Sequence, residues 1–111
     1  MSREIQYTGQ ARQDLRNVYE YIAYTLLVPE SAAKQADRIM RAIRSLEEMP
    51  MRYPLYSDEP WHSQGLRFVP VDNYLVFYLP NEDTSIVRVV RIMYGARDIR
   101  EQLSETPMES E

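Results

Sequence analysis

The 111-residue chain has no cysteine, three glycines, one histidine and a single lysine. Without cysteine it has no disulfide framework and no thiolate chemistry, an absence that fits a reducing compartment. No apolar run approaches the roughly 18 residues of a membrane-spanning helix, and the segment Met1–Glu4 lacks the apolar region of a secretory signal peptide. We therefore expect one small cytoplasmic domain that does not enter a membrane.

The same scarcity removes the familiar catalytic motifs. Gly9, Gly65 and Gly95 lie too far apart for a phosphate-binding glycine loop, and one histidine without cysteine cannot form a His/Cys metal cluster. His62 lies in a proline-rich stretch with no acidic partner that the sequence identifies. We interpret it as a surface or packing residue rather than a member of a Ser-His-Asp triad. We expect no metal and no cofactor.

Acidic charge is concentrated at the C-terminal end. The formal net charge is −4, yet four of the 17 acidic residues lie from Glu101 onwards, where there is no base, and residues 1–100 carry 13 acidic and 13 basic residues. We expect a single domain over residues 1–103 and an acidic, disordered tail over residues 104–111. A neutral body argues against binding bare nucleic acid by charge alone.

Apolar periodicity predicts a strand and then two helices. Arg3–Tyr7 alternates as a short strand, after which Thr8 or Gly9 can cap a helix over about residues 11–27. Pro29 interrupts this pattern, and a second helix is predicted from Glu30 to Met49-Pro50. The short connection favours an antiparallel helical hairpin.

Three strands follow a proline-rich belt over residues 49–65, which we expect to pack across the edge of the domain. They are predicted over residues 66–71, 74–79 and 85–94, with turns at Asp72-Asn73 and at residues 80–83, and a short last helix over residues 96–103. Because Pro70 cannot donate to a ladder, we expect the first of them to lie at a sheet edge or to pair on one side only at that point. The second is apolar on both faces, as a central strand is. The order β-α-α-β-β-β-α predicts an α+β fold with the hairpin packed on one sheet.

Twelve of the 13 bases are arginine, a residue suited to bidentate contacts with phosphate, although compositional bias gives the same skew. Arg67, Arg91 and Arg97 fall on or beside the predicted strands, and Tyr94 ends the last strand. Near one sheet edge, three guanidinium groups and a phenol would grip a phosphodiester. In the competing interpretation, Arg91 and Arg97 pair with Asp98, Glu101 or Asp72 and only fix the C-terminal turn.

Nine tyrosines form an unusual share of a short chain. Tyr21 and Tyr24 fall off the main apolar stripe of the first helix, where exposed tyrosine often marks a protein interface. Together with the water-facing Arg38 and Arg41 of the second helix, they are our candidates for a surface that contacts a partner. Ordinary aromatic packing is the alternative.

Several segments, taken in order, match a known pattern. They are Ala11–Leu15, Val18–Ala23, Gln64–Arg67, Asp72–Tyr78 and Val90–Asp98, the last two being similar to a family strand "x-x-Y-x-V/I-F/I-Y" and a closing signature "V-x-R-I/V-x-H/Y-G-x-R-D". The chain resembles the RelE/ParE superfamily of type II toxin–antitoxin toxins, in particular its ParE-like branch. This resemblance covers about residues 3–103 and implies a helical hairpin on a mostly antiparallel four-stranded sheet.

The resemblance implies a growth-inhibiting toxin that a cognate antitoxin neutralises, with a toxin–antitoxin hetero-oligomer as the expected assembly. ParE-like members bind DNA gyrase without chemistry of their own, whereas RelE-like members cleave mRNA on the ribosome. Cleavage needs an acid, a base and a cation; Arg67, Arg91, Tyr94 and Arg97 are the residues this chain offers. It has tyrosine where many relatives have histidine. We therefore favour gyrase binding, with mRNA cleavage as the alternative and a diverged, non-toxic interaction module as a third hypothesis.

Overall fold

The computed structural model describes residues 2–96 and 98–106. Along the chain the elements are β1 (Glu4–Tyr7), α1 (Gly9–Glu20), a π-helical turn (Tyr21–Thr25), α2 (Pro29–Arg44), 3₁₀ turns at Ser45–Glu47 and Pro50–Arg52, α3 (Trp61–Gln64), β2 (Arg67–Val71), β3 (Tyr74–Asn81), β4 (Ile86–Tyr94) and α4 (Ile99–Ser104). The predicted α+β order is confirmed, with α3 as an additional short helix inside the proline-rich belt.

The four strands form one sheet in the order β1-β4-β3-β2. β1 runs parallel to β4, and the other two pairs are antiparallel. The predictions that β2 lies at an edge and that β3 is central are both confirmed. A β-bulge in β4 shifts its register against β3 between Phe77 and Tyr78.

Prolines account for two boundaries that the sequence placed differently. α2 begins at Pro29 itself rather than at Glu30, because the first turn of a helix has no intrahelical partner for the N–H that proline lacks. β3 continues through Pro80 to Asn81, where a turn was expected. β2 pairs with β3 only as far as Tyr78, so beyond that point the missing N–H of Pro80 removes no bond to a neighbouring strand.

Both faces of the sheet are covered. On one face the first core packs α1 and α2 against the sheet through residues such as Val18, Ile39 and Tyr78. On the other face the second core gathers around Trp61, which is 4% exposed, with Phe77 of the sheet and further apolar residues from β4 and α4. The belt therefore does more than cross the domain edge as expected, because α3 covers the second face.

The C-terminal segment packs on the body up to Thr106. Of the tail predicted over residues 104–111, Ser104 closes α4, while Thr106 is buried and donates its hydroxyl to the carbonyl of Gln102 at 2.9 Å. Residues 107–111 lie outside the described residues. Within the described ranges, no helix has both the length and the apolar character needed to cross a membrane.

Candidate functional site

The C-terminal half of β4 lacks a neighbouring strand on one side. β1 runs in register with β4 only up to the pair Tyr7 and Val89, because the chain then turns into α1. Two side chains take the place of the missing strand. Thr8 Oγ1 donates to the carbonyl of Val90 at 3.0 Å, and the N–H of Ile92 donates to Asp14 Oδ2 at 2.9 Å. The main-chain groups at this end of β4 are thereby satisfied by α1 and its cap.

Arg91 is locked beside this edge by a buried, bidentate ion pair. Its Nε donates to Asp14 Oδ2 at 2.7 Å and its Nη2 to Asp14 Oδ1 at 3.1 Å, and the two side chains are only 12% and 7% exposed. Arg91 Nη1 donates to Thr106 Oγ1 at 2.9 Å. Arg91 therefore ties α1, β4 and the C-terminal segment together, and its charge is already neutralised.

The sequence placed the acidic partner of Arg91 elsewhere. Asp98 instead caps α4, accepting from the N–H of Glu101 at 3.2 Å, and Asp72 pairs with Arg38. The signal that was missed is the position of Asp14 on the buried stripe of α1, between Ala11 and Val18. A carboxylate at such a position requires a cation or several donors.

Arg67 belongs to a different part of the molecule. It lies in register with Tyr78 of the first core, whereas Arg91 lies in register with Phe77 of the second core, so the two arginines belong to opposite faces of the sheet. Its Nη1 donates to the carbonyls of Met51 at 3.0 Å and Tyr53 at 2.6 Å, which fixes the belt to β2. The structure thus does not bring Arg67 and Arg91 together, and Arg97 lies outside the described residues.

Tyr94 is the phenol at the end of β4. It is 43% exposed, and its ring meets that of Tyr74 edge-on with 5.7 Å between the centroids. The next residue, Gly95, donates its N–H to the carbonyl of Asn73 at 2.8 Å. A Cβ at Gly95 would lie 3.3 Å from that oxygen, so the close approach of the β2–β3 turn favours glycine here.

A groove of about 880 Å³ opens beside this end of β4. It runs between α1, the π-helical turn, the start of α2 and the ends of β3 and β4, and its lining includes Asp14, Arg91 and Tyr94. The lining also includes large apolar side chains that stand well exposed, namely Tyr21 at 54%, Leu26 at 51% and Val28 at 43%. π-helical turns are rare and frequently occur at functional sites. We call this feature the β4-end groove.

The four predicted interface residues are distributed around the helical hairpin. Tyr21 lines the β4-end groove, whereas Tyr24, 69% exposed, lines a second groove. Arg38 donates to Asp72 at 2.6 Å, and this bond lowers the pKa of Asp72, with a bond from a neighbouring glutamine adding to the effect. Arg41 is highly exposed and pairs with Asp37 one turn away on α2.

The second groove, of about 610 Å³, lies along the outer side of β1, α1 and α2, and we call it the Tyr7 groove. Burial raises the pKa of Tyr7, and the charges of Arg44 and Arg12 oppose that rise. The lining is Tyr7, Arg12, Leu15, Arg16, Tyr19, Glu20, Tyr24, Ala36 and Met40. Among residues 2–96 and 98–106, no group of three histidine or acidic side chains gathers to hold a metal ion.

Comparison with known proteins identifies the class. The sequence pattern of the family described as "ParE toxin of type II toxin-antitoxin system, parDE" matches residues 5–99. Because that match spans most of the chain, the protein belongs to the ParE toxin family and is a toxin of the type II toxin–antitoxin class. No curated protein matches the sequence.

Solved structures share the fold. A chain of the chromosomal ParDE toxin–antitoxin system from P. aeruginosa superposes with a TM-score of 0.69 at 19% identity, covering 84% of this chain and 96% of the other. A chain of a RelBE toxin–antitoxin complex from Mycobacterium tuberculosis gives 0.61 at 18% identity, with coverages of 85% and 99%. A chain of the archaeal RelE–RelB complex from Pyrococcus horikoshii OT3 gives 0.60 at 15% identity, with coverages of 87% and 99%. These likenesses establish the RelE/ParE-like fold.

Proposed function

We propose that this toxin acts by binding a macromolecular target, DNA gyrase, and performs no chemistry of its own. The buried Asp14–Arg91 pair is the observation that carries this proposal. A cation that stabilises a developing phosphorane must face the scissile phosphate. The guanidinium N–H groups of Arg91 instead donate to Asp14 and Thr106.

The other groups in the described ranges support the same proposal. Arg67 is bonded to carbonyls of the belt on the other side of the sheet. His62, the single histidine of the chain, is exposed in α3, and its Nδ1 lies 2.9 Å from the carbonyl oxygen of Tyr56. Tyr94 packs edge-on against the ring of Tyr74, and no hydrogen bond joins its phenol to a base or a cation among the described residues. This arrangement is a poor general acid–base set but leaves the apolar groove intact for binding.

The proposed partner in the resting state is a cognate antitoxin. Exposed apolar side chains on a small protein mark a surface that a partner covers. The β4-end groove supplies such a surface through Tyr21, Leu26 and Val28, and Tyr24 of the same π-helical turn as Tyr21 is also exposed. Arg38 and Arg41 on the outer side of α2 are then the charged rim of the antitoxin or target interface.

The decisive experiment is a supercoiling assay with purified DNA gyrase and the purified chain. We expect inhibition, with accumulation of DNA cleaved by gyrase, at micromolar toxin. Unchanged supercoiling at that concentration would remove the gyrase proposal.

The alternative, mRNA cleavage on the ribosome, has its own test. Programmed ribosomes are incubated with the chain and with Tyr94→Phe, which keeps the ring on Tyr74 but removes the hydroxyl. We expect the mRNA to stay intact with both proteins. Cleavage by the parent chain that Tyr94→Phe abolishes would establish the nuclease instead.

A further inference from the structure

Three arginines without a carboxylate partner gather at the Tyr7 groove. Arg12 and Arg16 line the groove, and the charge of Arg44, the last residue of α2, acts on Tyr7. All three arginines are exposed, and none forms an ion pair in the part of the chain that the structure describes. Glu20 is the one acidic residue of the groove lining. The groove is therefore locally cationic.

The neutral charge of residues 1–100 hides this local excess. Two acidic residues of the helical hairpin are already occupied by other bases, since Asp14 pairs with Arg91 and Asp37 pairs with Arg41. Exposed charges that lie farther apart than about 10 Å are largely screened at 0.1 M salt. The charge within the groove, rather than the net charge of the chain, thus decides which ligand this surface attracts.

The spacing on α1 places like charges side by side. Arg12 and Arg16 are four residues apart in α1, which separates them by about 6 Å along the helix axis. Residues at this spacing are neighbours on the helix surface, and like charges there destabilise the helix. Tyr19 follows three residues later on the same face. An anionic chain lying along this face relieves the repulsion, because its successive charges each meet one guanidinium group.

Tyrosine rings lie among these charges. Tyr7, Tyr19 and Tyr24 all line the groove, and Tyr24 is 69% exposed. Burial raises the pKa of Tyr7, so its phenol keeps its proton at neutral pH and is able to donate to an anion. Cationic grooves with aromatic rings bind single-stranded nucleic acid, in which phosphates meet the cations and bases stack on the rings. A carboxylate-rich peptide would use the arginines but would give Tyr24 no base to stack on.

We propose that the Tyr7 groove binds a short stretch of single-stranded DNA. The guanidinium groups of Arg12, Arg16 and Arg44 contact successive phosphates, and the ring of Tyr24 stacks on a base. Binding is independent of sequence, because every base has a face that a ring can cover. That the strand is DNA rather than RNA rests on the proposed function, because the proposed target acts on DNA.

The salt dependence of binding tests the phosphate contacts. Fluorescence anisotropy follows the full chain binding to a fluorescein-labelled decathymidylate between about 50 and 200 mM salt. Each phosphate neutralised on a single strand contributes about −0.7 to the slope of log K against log salt concentration, so three contacts give a slope of about −2. Arg12→Ala should weaken binding and reduce the size of the slope by about 0.7.

Lys34→Ala is the matched control for the loss of one positive charge. Lys34 is exposed on α2, has no ion pair in the described ranges and lies outside the lining of the groove. We expect Lys34→Ala to keep both the affinity and the slope of the parent chain.

Tyr24→Ala tests the stacking contact separately from charge. We expect decathymidylate to bind this variant about tenfold more weakly with an unchanged salt slope, because one base has lost its ring. In duplex DNA the bases are already stacked on one another. A duplex of the same length should therefore bind the parent chain and Tyr24→Ala alike.

NMR of the arginine side chains tests where the strand lies. Titration with decathymidylate should shift the Nε–H resonances of Arg12 and Arg16. The resonance of Arg91 should stay in place and serves as the internal reference, because its Nε donates to the buried Asp14.

Three results would overturn the DNA groove. One is an equal salt slope for Arg12→Ala and Lys34→Ala, and another is no anisotropy change at millimolar chain in low salt. The third is tighter binding of decauridylate or of a decaglutamate peptide than of decathymidylate. Gyrase inhibition is measured without any oligonucleotide. Oligonucleotide binding without gyrase inhibition would therefore remove only the proposed function, and gyrase inhibition without oligonucleotide binding would remove only the groove.

Discussion

At the scale of single residues, Arg91 was proposed from the sequence as a phosphate-binding cation. In the structure its guanidinium group joins α1 to the C-terminal segment through Asp14 and Thr106. The sequence offered Arg91 as a catalytic cation, and the structure pairs it with Asp14, which lies 77 positions earlier in the chain. Periodicity describes one element at a time and does not pair residues across elements. The acid on the buried stripe of α1 was visible in the sequence, and its need for a cation is the one clue that was available.

Removing the Asp14 carboxylate should destabilise the protein strongly. Asp14→Ala leaves Arg91 buried without its counter-charge and the N–H of Ile92 without an acceptor. We expect a loss of about 3–5 kcal/mol in the free energy of unfolding, measured by urea denaturation. Asp37→Ala, which breaks the exposed pair with Arg41, is the control and should cost less than about 1 kcal/mol. Similar losses for both variants would contradict a structural role for the buried pair.

The burial of Tyr78 lets us predict how the free energy of unfolding changes at alkaline pH. Its side chain is fully buried, its hydroxyl donates to the carbonyl of Pro50, and burial raises its pKa from 10.0 to about 12. The folded state therefore keeps this proton in a pH range where the unfolded chain releases it. The resulting stability is fully present below pH 10 and is lost as the pH rises towards 12.

Comparing Tyr78→Phe with the parent chain measures this effect. Between pH 10 and pH 12 the free energy of unfolding of the parent should fall by about 2–3 kcal/mol more than that of the variant. Chemical denaturation at each pH measures this free energy. The variant is expected to be about 1 kcal/mol less stable at neutral pH, because the Pro50 carbonyl has lost its donor. Parallel pH profiles for the two proteins would show that the proton on Tyr78 is not linked to folding.

At the scale of elements, α1 and the open end of β4 are built as one unit. The hydroxyl of Thr8 makes two hydrogen bonds. It accepts from the N–H of Ala11, which caps α1, and it donates to the carbonyl of Val90 on β4. Thr8→Ala removes both bonds, and we expect it to cost about 1–2 kcal/mol in unfolding free energy. Thr8→Ser keeps the hydroxyl and should retain most of that stability. An equal loss in both variants would mean that the methyl group, rather than the hydroxyl, matters.

Periodicity predicted most of the elements and misplaced their ends for physical reasons. The helices and strands were found because their buried residues repeat at intervals of 3.6 and 2. Pro29 and Pro80 were taken as boundaries, but each occupies a position where an N–H has no partner to lose. α3 was not predicted, since four residues are too few to show a helical period. Its Trp61 was recognised only as too apolar to be exposed.

At the scale of the whole molecule, the family match over residues 5–99 defines a toxin, and the arrangement of its charges supports the proposal about its target. The arginines that looked like one cluster along the sequence are separated by the sheet, with Arg67 and Arg91 belonging to opposite faces. No charge pattern reveals this without the register between strands. The exposed side chains of the described ranges include Tyr21, Leu26 and Val28 of the β4-end groove, and the proposed contact with a protein partner rests on them.

The supercoiling assay, run with the parent chain and with Tyr94→Phe side by side, tests the central claim most directly. If the toxin binds gyrase without chemistry of its own, both proteins inhibit supercoiling at similar concentrations, because Tyr94→Phe keeps the ring that lines the β4-end groove and removes only its hydroxyl. Full supercoiling activity in the presence of micromolar parent chain, from a preparation that arrests growth when expressed, would contradict the account.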